Sequence, residues 1–324
     1  MAESAAVTRA ATCTAGAACV PLQSWVAPRL TEGLGNRLFQ LAAAWAFARA
    51  TGRTCVLHAS AAADNEHGDD ALACLRFLPH ALATTAEHGV DVESPQEPHL
   101  PMSAHVAHVR GGVLLRGFFQ SWRIADAAEK LPLRVPPDLA AAVARALPHV
   151  DWRATAFVHV RRGDYRADAL MCPLGAPYYR AAVAHVLAGG RASALLLCCN
   201  EDMDAAALRA WAAVPAHVAV VVAPRDWPGE LVLAAMASCR GGGVVANSSL
   251  SWWAARLARD AAAAEDEDAP RFTMPSVWLR TARLARRGSH ASIVPPWATE
   301  VRATRAPQLA PPATRKRGRG GGGD

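Results

Sequence analysis

The strongest constraint on the fold of this chain is the alternation of uninterrupted apolar segments with amphipathic ones between residues 154 and 258. ATAFVHV, SALLLCC, HVAVVVAP and GGVVAN are apolar nearly throughout, which is typical of strands buried on both faces. Between them, apolar residues recur at helical spacing, namely Tyr179, Ala182, Val183, Val186 and Leu187 and, later, Leu250, Trp253, Ala254 and Leu257. This alternation predicts an α/β fold whose parallel sheet is covered by helices on both faces.

A second sheet is predicted earlier in the chain. SWVAPRL and RTCVLH have the composition of strands, and residues 35 to 51 have the pattern of a helix. The apolar stripe of that helix consists of Leu34, Leu38, Leu41 and Trp45. Gly52 follows where a left-handed cap would end the helix. Because strand, helix and strand in this order form a βαβ unit, the 324 residues are expected to contain two domains.

The pattern is weaker between these regions. We expect long loops over residues 60 to 110 with one helix near 71–78, then a strand in GGVLLRGFFQSW. Asp138 is expected to cap a helix that Pro148 ends. The predicted division is a loosely ordered N-terminus at 1–24, an N-terminal domain at 25–150, a C-terminal domain at 151–298 and a disordered basic tail at 299–324.

The net charge of +6 is concentrated at the end of the chain. Residues 302 to 324 contain six basic residues and one acidic residue, so the remainder of the chain is nearly neutral. A proline-rich segment followed by RKRGRGGGG cannot bury enough apolar surface to offset its ordering entropy, which predicts a disordered tail. A solvated tail is the favoured interpretation, and contact with RNA or a localisation signal is the alternative.

The cysteine pattern favours a reducing compartment. The eight cysteines form no CxxC pair and have no histidine partner at metal spacing. No run of 18 apolar residues predicts a membrane span, and the first 20 residues lack the leucine-rich core of a secretory signal. The sequence therefore predicts a cytoplasmic protein without a transmembrane anchor, with an organellar transit peptide and association with a membrane surface left open.

The segment AFVHVRRGDY ends a predicted strand with a cluster of polar residues. Alternation along the strand places His159 and Arg161 on one side and Arg162 on the other. One guanidinium can then face a phosphate while the second pairs with a carboxylate such as Asp164. Because ligands of doubly wound sheets bind beyond the carboxyl ends of the strands, an anion site is predicted here. The alternative is an Arg–Asp pair that holds a loop and binds nothing.

Two further segments begin helices after strands. In VVANSSLSWWAARLA, Asn247, Ser248 and Ser249 present hydroxyls at a helix N-terminus, where phosphate binds readily, and Ser251 and Trp252 are placed towards the site. Trp253 fits the apolar stripe. In GLGNRLFQ a GxG begins the first predicted helix, where Asn36, Arg37 and Gln40 would line the mouth of the first sheet and face the cleft. The acids from Glu201 to Asp204 are attributed to a helix start, with a metal site as the alternative.

Together these segments resemble glycosyltransferase family 11, the α-1,2-fucosyltransferases and their relatives. HVRRGDY is similar to the family's HxRRGDY motif, GLGNRLFQLAAAWA to its GGLGNQxFQYAxAxA opening, and NSSLSWWAARLA to its NSSFSWWxAWL segment. GFFQSWR at 117–123 resembles a fourth family segment, and the order and spacing agree. The resemblance spans the chain from about Gly33 to Leu257.

The resemblance implies two Rossmann-like domains in a GT-B-like arrangement and transfer of fucose from GDP-fucose to a galactoside or similar glycan, with inversion and without a required metal. Arg161, followed by Arg162, would stabilise the departing β-phosphate, with Ser248, Ser249 and Ser251 donating hydrogen bonds. The implied catalytic residues are Arg161, Arg162, Asp164 and Asp168, either aspartate being available as the general base. The implied donor-binding residues are His159, Gly163, Tyr165, Asn247, Ser248, Ser249, Ser251, Trp252, Gly35, Asn36 and Arg37. A related transferase with another nucleotide-sugar donor, or a protein that binds nucleic acid through its basic tail, are the alternatives.

Overall fold

The computed structural model describes residues 24–61, 72–79, 81–93, 109–128, 133–265, 269–279 and 292–303. The strands are β1 Trp25–Pro28, β2 Thr54–His58, β3 Ala83–Thr85, β4 Gly89–Glu93, β5 Gly112–Arg116, β6 Thr155–Val160, β7 Ala194–Cys199, β8 Ala219–Val222, β9 Gly243–Val244, β10 Phe272–Pro275 and β11 Thr299–Val301. The helices are α1 Leu34–Ala50, α2 Trp122–Ala127, α3 Pro137–Ala146, α4 Ala176–Leu187, α5 Ala205–Ala212, α6 Gly229–Ser238 and α7 Ser249–Ala264. Short 3-10 helices cover Ala73–Phe77 and Asp164–Arg166.

The larger sheet has six parallel strands in the order β11-β10-β9-β6-β7-β8. With β6 counted as the first strand, this is the 3-2-1-4-5-6 order of the Rossmann fold, read from the opposite edge. The order reverses between β6 and β9. Two strands that are neighbours in space but lead to opposite sides leave a crevice at their carboxyl ends, where such folds bind ligands.

Both faces of this sheet are covered, as the apolar runs predict. Successive residues of β6 alternate between two clusters. Ala156, Val158 and Val160 pack with residues of α4 and α5, whereas Phe157 packs with residues of α6 and α7. The predicted α/β fold with parallel sheets flanked by helices is therefore confirmed. The alternation also carries His159 and Arg161 to the α7 side of the strand and Arg162 to the α5 side.

The smaller sheet has five parallel strands in the order β3-β2-β1-β5-β4. The predicted βαβ unit is confirmed as β1, α1 and β2, and Gly52 has the left-handed φ of +65° expected after the helix. Strand β5, the last of this sheet in the chain, lies between β1 and the edge strand β4. Trp25 covers the face of β5, where a β-carbon on Gly112 would approach the indole to 2.1 Å.

Helices α1 and α7 hold the two sheets together. Phe39 of α1 packs against both Trp252 and Trp253 of α7, with ring centroids 4.6 and 5.1 Å apart. An ion pair joins Arg256 of α7 to Asp126 of α2. The carboxyl ends of β1 and β6 are thereby brought to the same region of the molecule.

Helix α3 precedes the predicted domain boundary at residue 150 and packs against α6 of the larger sheet. Leu139 and Val143 lie in the same apolar cluster as Leu233 and Met236. Asp138 is not the predicted cap of α3, because Pro136 occupies that position and Asp138 instead accepts a hydrogen bond from Arg76 at 2.6 Å. Proline at the first helical position already fixes the backbone there.

Three further differences concern short elements. Strands β3 and β4 lie where loops were expected, and the predicted helix near 71–78 is a 3-10 helix. Helix α2 begins at Trp122, where the strand prediction ended. Strand β11 lies within the range assigned to the disordered tail but pairs with β10. The predictions for residues 1–23 and 304–324 concern parts of the chain outside the described residues.

No helix among the described residues is long and apolar enough to cross a bilayer.

Candidate functional site

The candidate site lies where the order of the larger sheet reverses. The segment HVRRGDY leaves the end of β6, and the segment NSS leaves the neighbouring strand β9 and begins α7. Tyr165 joins the two segments, because its hydroxyl donates a hydrogen bond to the carbonyl oxygen of Asn247 at 3.2 Å. Two motifs that are more than 80 residues apart in the chain therefore form one surface.

Arg161 is restrained on two sides. Its Nε and Nη2 donate hydrogen bonds to Oδ2 of Asp164 at 3.2 and 2.9 Å. Its guanidinium carbon lies 5.0 Å from the centre of the Tyr165 ring, as in a cation–π contact. The side chain is still 37% exposed. A cation held in one orientation and still open to solvent can meet an anionic ligand without further ordering.

Asn200, which follows β7, holds the turn that presents Arg161. Its Oδ1 accepts hydrogen bonds from the backbone N–H groups of Arg162 and Gly163 at 3.0 and 3.1 Å, and its Nδ2 donates to Oδ1 of Asp164 at 2.6 Å. A β-carbon on Gly163 would lie 2.6 Å from the carbonyl oxygen of Asn200, so glycine is required. Sequence analysis missed Asn200, although a polar residue directly after the apolar run ALLLCC was a usable signal.

Asp164 is ionised in this arrangement. Its partial burial opposes ionisation, but the hydrogen bond and charge of Arg161 and the hydrogen bond from Asn200 outweigh that effect and lower its pKa below the usual value. Both carboxylate oxygens are occupied by these partners. Asp164 therefore positions Arg161 and is poorly suited to accept a proton.

Tyr165 and His159 form the buried floor beneath Arg161. Burial raises the pKa of Tyr165 to about 12, against the opposing charge of Arg161, and its hydroxyl also interacts with the side chain of Ser248. His159 is 5% exposed, and burial together with the charge of Arg161 lowers its pKa to about 3. Both groups are thus neutral near pH 7, so Arg161 carries the positive charge of this corner.

The N-terminus of α7 meets the N-terminus of α1 beside this corner. Ser248 is the N-cap of α7, and Ser249 is its first residue. A β-carbon on Gly35 of α1 would lie 2.4 Å from the backbone nitrogen of Leu250 and 2.7 Å from Oγ of Ser249. Because each helix N-terminus carries a partial positive charge, two of them in contact favour an anion.

Asn36 extends the site towards the smaller sheet. Its Oδ1 accepts a hydrogen bond of 2.7 Å from Nε2 of Gln120, which follows β5. The loop after β5 is thereby attached to the N-terminus of α1. Gln40, also predicted to line the cleft, is fully buried and bonded to the backbone N–H and hydroxyl of Thr31.

Arg162 does not share the corner of Arg161, and its predicted role at the phosphate stays a prediction. It lies on the opposite side of the strand, where its guanidinium stacks on Trp211 at 5.0 Å and pairs with Glu201 at 3.5 Å. Its side chain is 17% exposed. A carboxylate partner was expected for one of the two arginines. Each of them has one, because Asp164 pairs with Arg161 and Glu201 pairs with Arg162.

Several predicted donor-binding side chains are directed elsewhere. The amide of Asn247 donates to the carbonyl oxygens of Cys172 and Trp278, and Ser251 donates to the carbonyl oxygen of Ser248. Trp252 is fully buried and donates to the carbonyl oxygen of Ile293, so it belongs to the core like Trp253. Arg37 is fully buried as well. Helix α7 is buried on more of its circumference than its apolar stripe indicates, because it packs against both its own sheet and α1.

The remaining predicted acids have distinct placements. Asp168 is exposed, and its Oδ1 accepts hydrogen bonds from the N–H groups of Leu170 and Met171 at 2.6 and 3.0 Å. Asp204 accepts a hydrogen bond from the N–H of Ala207 as the N-cap of α5, which confirms the helix-start interpretation. Asp202 pairs with Arg225.

A cavity of about 290 Å³ lies away from this site. It is lined by Ala140, Ala144, Trp152, Arg153, Ser238, Arg240 and Glu265. Trp152 precedes β6 and Arg240 precedes β9, so the cavity is at the amino ends of these strands, opposite the edge that holds Arg161.

No protein-family model matches the chain, and no curated protein matches it. Among solved structures, the chain is similar to the α-1,6-fucosyltransferase NodZ of Bradyrhizobium co-crystallised with GDP, at 14% identity over 74% of this chain and 94% of NodZ with a TM-score of 0.44. It is also similar to a mutant of Arabidopsis thaliana FUT1 with GDP, at 11% identity over 72% of this chain and 69% of FUT1, with a TM-score of 0.45. A third similar structure is POFUT1 with GDP, at 14% identity over 74% of this chain and 95% of POFUT1, with a TM-score of 0.45.

Proposed function

We propose that this protein is an inverting glycosyltransferase that moves fucose from GDP-fucose to a hydroxyl of a galactoside or similar glycan, with an α-1,2 linkage. In this proposal the two sheets form a GT-B-like pair, in which the larger sheet binds the nucleotide sugar and the smaller sheet binds the acceptor. The observation that carries it is the position of Arg161 at the strand reversal of the larger sheet, beside the paired N-termini of α1 and α7.

The proposed leaving group explains why a cation is needed at this position. The bond between the anomeric carbon and the β-phosphate oxygen breaks, and the bonding electrons remain on the GDP. The acceptor oxygen forms its bond on the opposite face of the sugar, and its proton passes to a base. Arg161 and the first N–H groups of α7 would stabilise the charge that develops on the phosphate, each donor contributing about 3 kcal/mol.

Asp168 is the proposed general base. Asp164 is unsuitable because Arg161 and Asn200 occupy both of its oxygens and lower its pKa. Asp168 lies in the same exposed loop and uses Oδ1 for backbone contacts, so Oδ2 can accept the proton of a bound hydroxyl.

The proposal is tested by GDP release from GDP-fucose on addition of a β-galactoside. Arg161→Ala should lower kcat/KM by about 100-fold or more, because a preorganised charged donor is lost. Arg161→Lys should recover little, since an ammonium cannot replace the planar donor pair that Asp164 holds. Arg145→Ala, an exposed arginine of α3, is the matched control. Normal turnover of the Arg161→Ala variant would contradict the proposal.

Donor identity is tested separately by thermal unfolding with GDP-fucose, GDP-mannose, UDP-galactose and UDP-glucose. A ligand that binds the native state raises the melting temperature according to its affinity. The proposal expects the largest rise with GDP-fucose. A larger rise in melting temperature with UDP-galactose or UDP-glucose would mean that the donor is a UDP-sugar and not GDP-fucose. The proposed position of the site would be unaffected.

A further inference from the structure

The loop over residues 117–120 follows β5, the strand that pairs with β1 in the smaller sheet. Because β1 and β5 are parallel neighbours, this loop leaves the same edge of the sheet as the segment that leads from β1 to α1. The inference drawn from this loop rests on the proposed function and concerns the acceptor.

The backbone of this loop is strained at Phe119. Its φ of +51° is in the left-handed region, which a bulky side chain rarely adopts. The ring of Phe119 is 4% exposed and packs in the cluster that contains Val113 and Leu115. Such strain persists where the surroundings fix the backbone, which is common at ligand sites.

The strained turn buries one phenylalanine and exposes its neighbour. Phe118 is 51% exposed, and it is the aromatic member of the four large apolar residues that stand out as exposed in the described part of the chain. A solvent-facing aromatic ring is thus presented in the loop that follows β5.

Polar groups connect this ring to the site of Arg161. Gln120 donates a hydrogen bond to Asn36 at 2.7 Å. Asn36 is next to Gly35, which contacts Ser249 and the backbone of Leu250. Within the described residues, Oγ of Ser121 is buried and has no hydrogen-bond partner. The loop therefore carries the Phe118 ring and, two residues later, the Gln120 amide, which is hydrogen-bonded to the first turn of α1.

We propose that Phe118 is the platform on which a pyranose ring of the acceptor stacks, with the Gln120 and Asn36 amides orienting its hydroxyls. A sugar ring has an apolar face of C–H groups that suits the electron-rich face of an aromatic ring, and hydroxyls at its edge that suit amides. A protein partner would require a contiguous apolar patch, whereas the ring here is bordered by amide side chains.

The test compares Phe118→Ala, Phe118→Trp and the control Val90→Ala. Val90 is a similarly exposed apolar residue, 50% accessible, on the edge strand β4. Phe118→Ala should raise the KM for phenyl β-D-galactoside or lactose about tenfold, the size expected for a lost aromatic contact. GDP affinity and KM for GDP-fucose should be unchanged. Phe118→Trp should restore the acceptor KM, and Val90→Ala should match the wild type.

Saturation-transfer NMR gives a readout that does not need turnover. With the protein saturated with GDP, the C–H protons of one face of the galactoside should receive magnetisation, and the signal should be lost in Phe118→Ala. An unchanged acceptor KM in Phe118→Ala, or no galactoside signal that depends on Phe118, would overturn the inference. Failure of the wild type to bind GDP or GDP-fucose would instead overturn the proposed function.

Discussion

Gly35 and Leu250 approach each other so closely that no side chain can be placed between them. A β-carbon on Gly35 would be 2.4 Å from the backbone nitrogen of Leu250, well inside a van der Waals contact. The contact joins the first turn of α1 to the first turn of α7. It sets the position of the α7 N–H groups that are proposed to bind the β-phosphate.

Gly35→Ala should therefore separate the two helix N-termini. Displacement of catalytic groups by about 1 Å can cost on the order of 100-fold in rate, and a loss of this size in kcat/KM is expected. Gly33→Ala is the matched control, because a β-carbon on Gly33 has no atom within 4 Å. Equal activity of the two variants in the GDP-release assay would show that the contact has no role in the reaction.

Asn200→Ala should lower kcat about tenfold with a smaller change in KM, because Arg161 loses its fixed orientation when Asp164 is no longer held. The hydrogen bond from Asn200 helps to lower the pKa of Asp164. In the variant the pKa of Asp164 should rise, so activity should be lost at a higher pH as the solution is acidified. A pH profile identical to that of the wild type would mean that Asn200 is not a positioning residue.

Arg162→Ala should affect stability more than binding. Arg162 is largely buried against Trp211 and Glu201, so its removal should reduce the free energy of unfolding by about 1–2 kcal/mol. Glu201 keeps its pair with Arg166. The GDP dissociation constant, measured by calorimetry, should remain within about twofold of the wild type. A drop in GDP affinity as large as that of Arg161→Ala would place Arg162 at the phosphate after all.

His159 should not titrate near neutral pH. Burial and the Arg161 charge lower its pKa from the usual 6.5 to about 3, so the unfolded chain binds the proton more readily than the native protein. The stabilisation due to neutral His159 is complete above about pH 6.5 and is lost as the pH falls towards 3. Two-dimensional NMR of the imidazole should show no change between pH 5 and 8. A midpoint near 6.5 would mean that the ring is accessible to water.

Sequence alone predicts the larger sheet well because its strands are buried on both faces and leave long apolar runs. β3 and β4 escape prediction because they are short and mostly exposed, and the alternation of Val90 and Val92 with polar residues in β4 extends over too few residues to mark a strand. The same holds for β11, whose three residues are held by pairing with β10.

The site is predicted only in part, because strand ends are visible in the sequence and the contacts between distant segments are not. Strand ends locate Arg161 and Ser248, and the nearby Asp164 is a predicted partner of the arginines, but the groups that hold the turn and Arg162 come from elsewhere in the chain. Asn200 is 38 residues from Arg162, and Glu201 takes Arg162 away from the site. Ser251 and Trp252 follow the N-terminus of α7, but contact with α1 buries them, and a single-helix pattern contains no information about that contact.

The position of GDP in a crystal structure of the complex decides whether Arg161 serves the leaving group. The β-phosphate should lie within hydrogen-bond distance of the Arg161 guanidinium and of the backbone N–H groups at Ser249 and Leu250. A nucleotide bound at the cavity beside Trp152 and Arg240, or Arg161 turned into solvent with GDP present, would contradict this role.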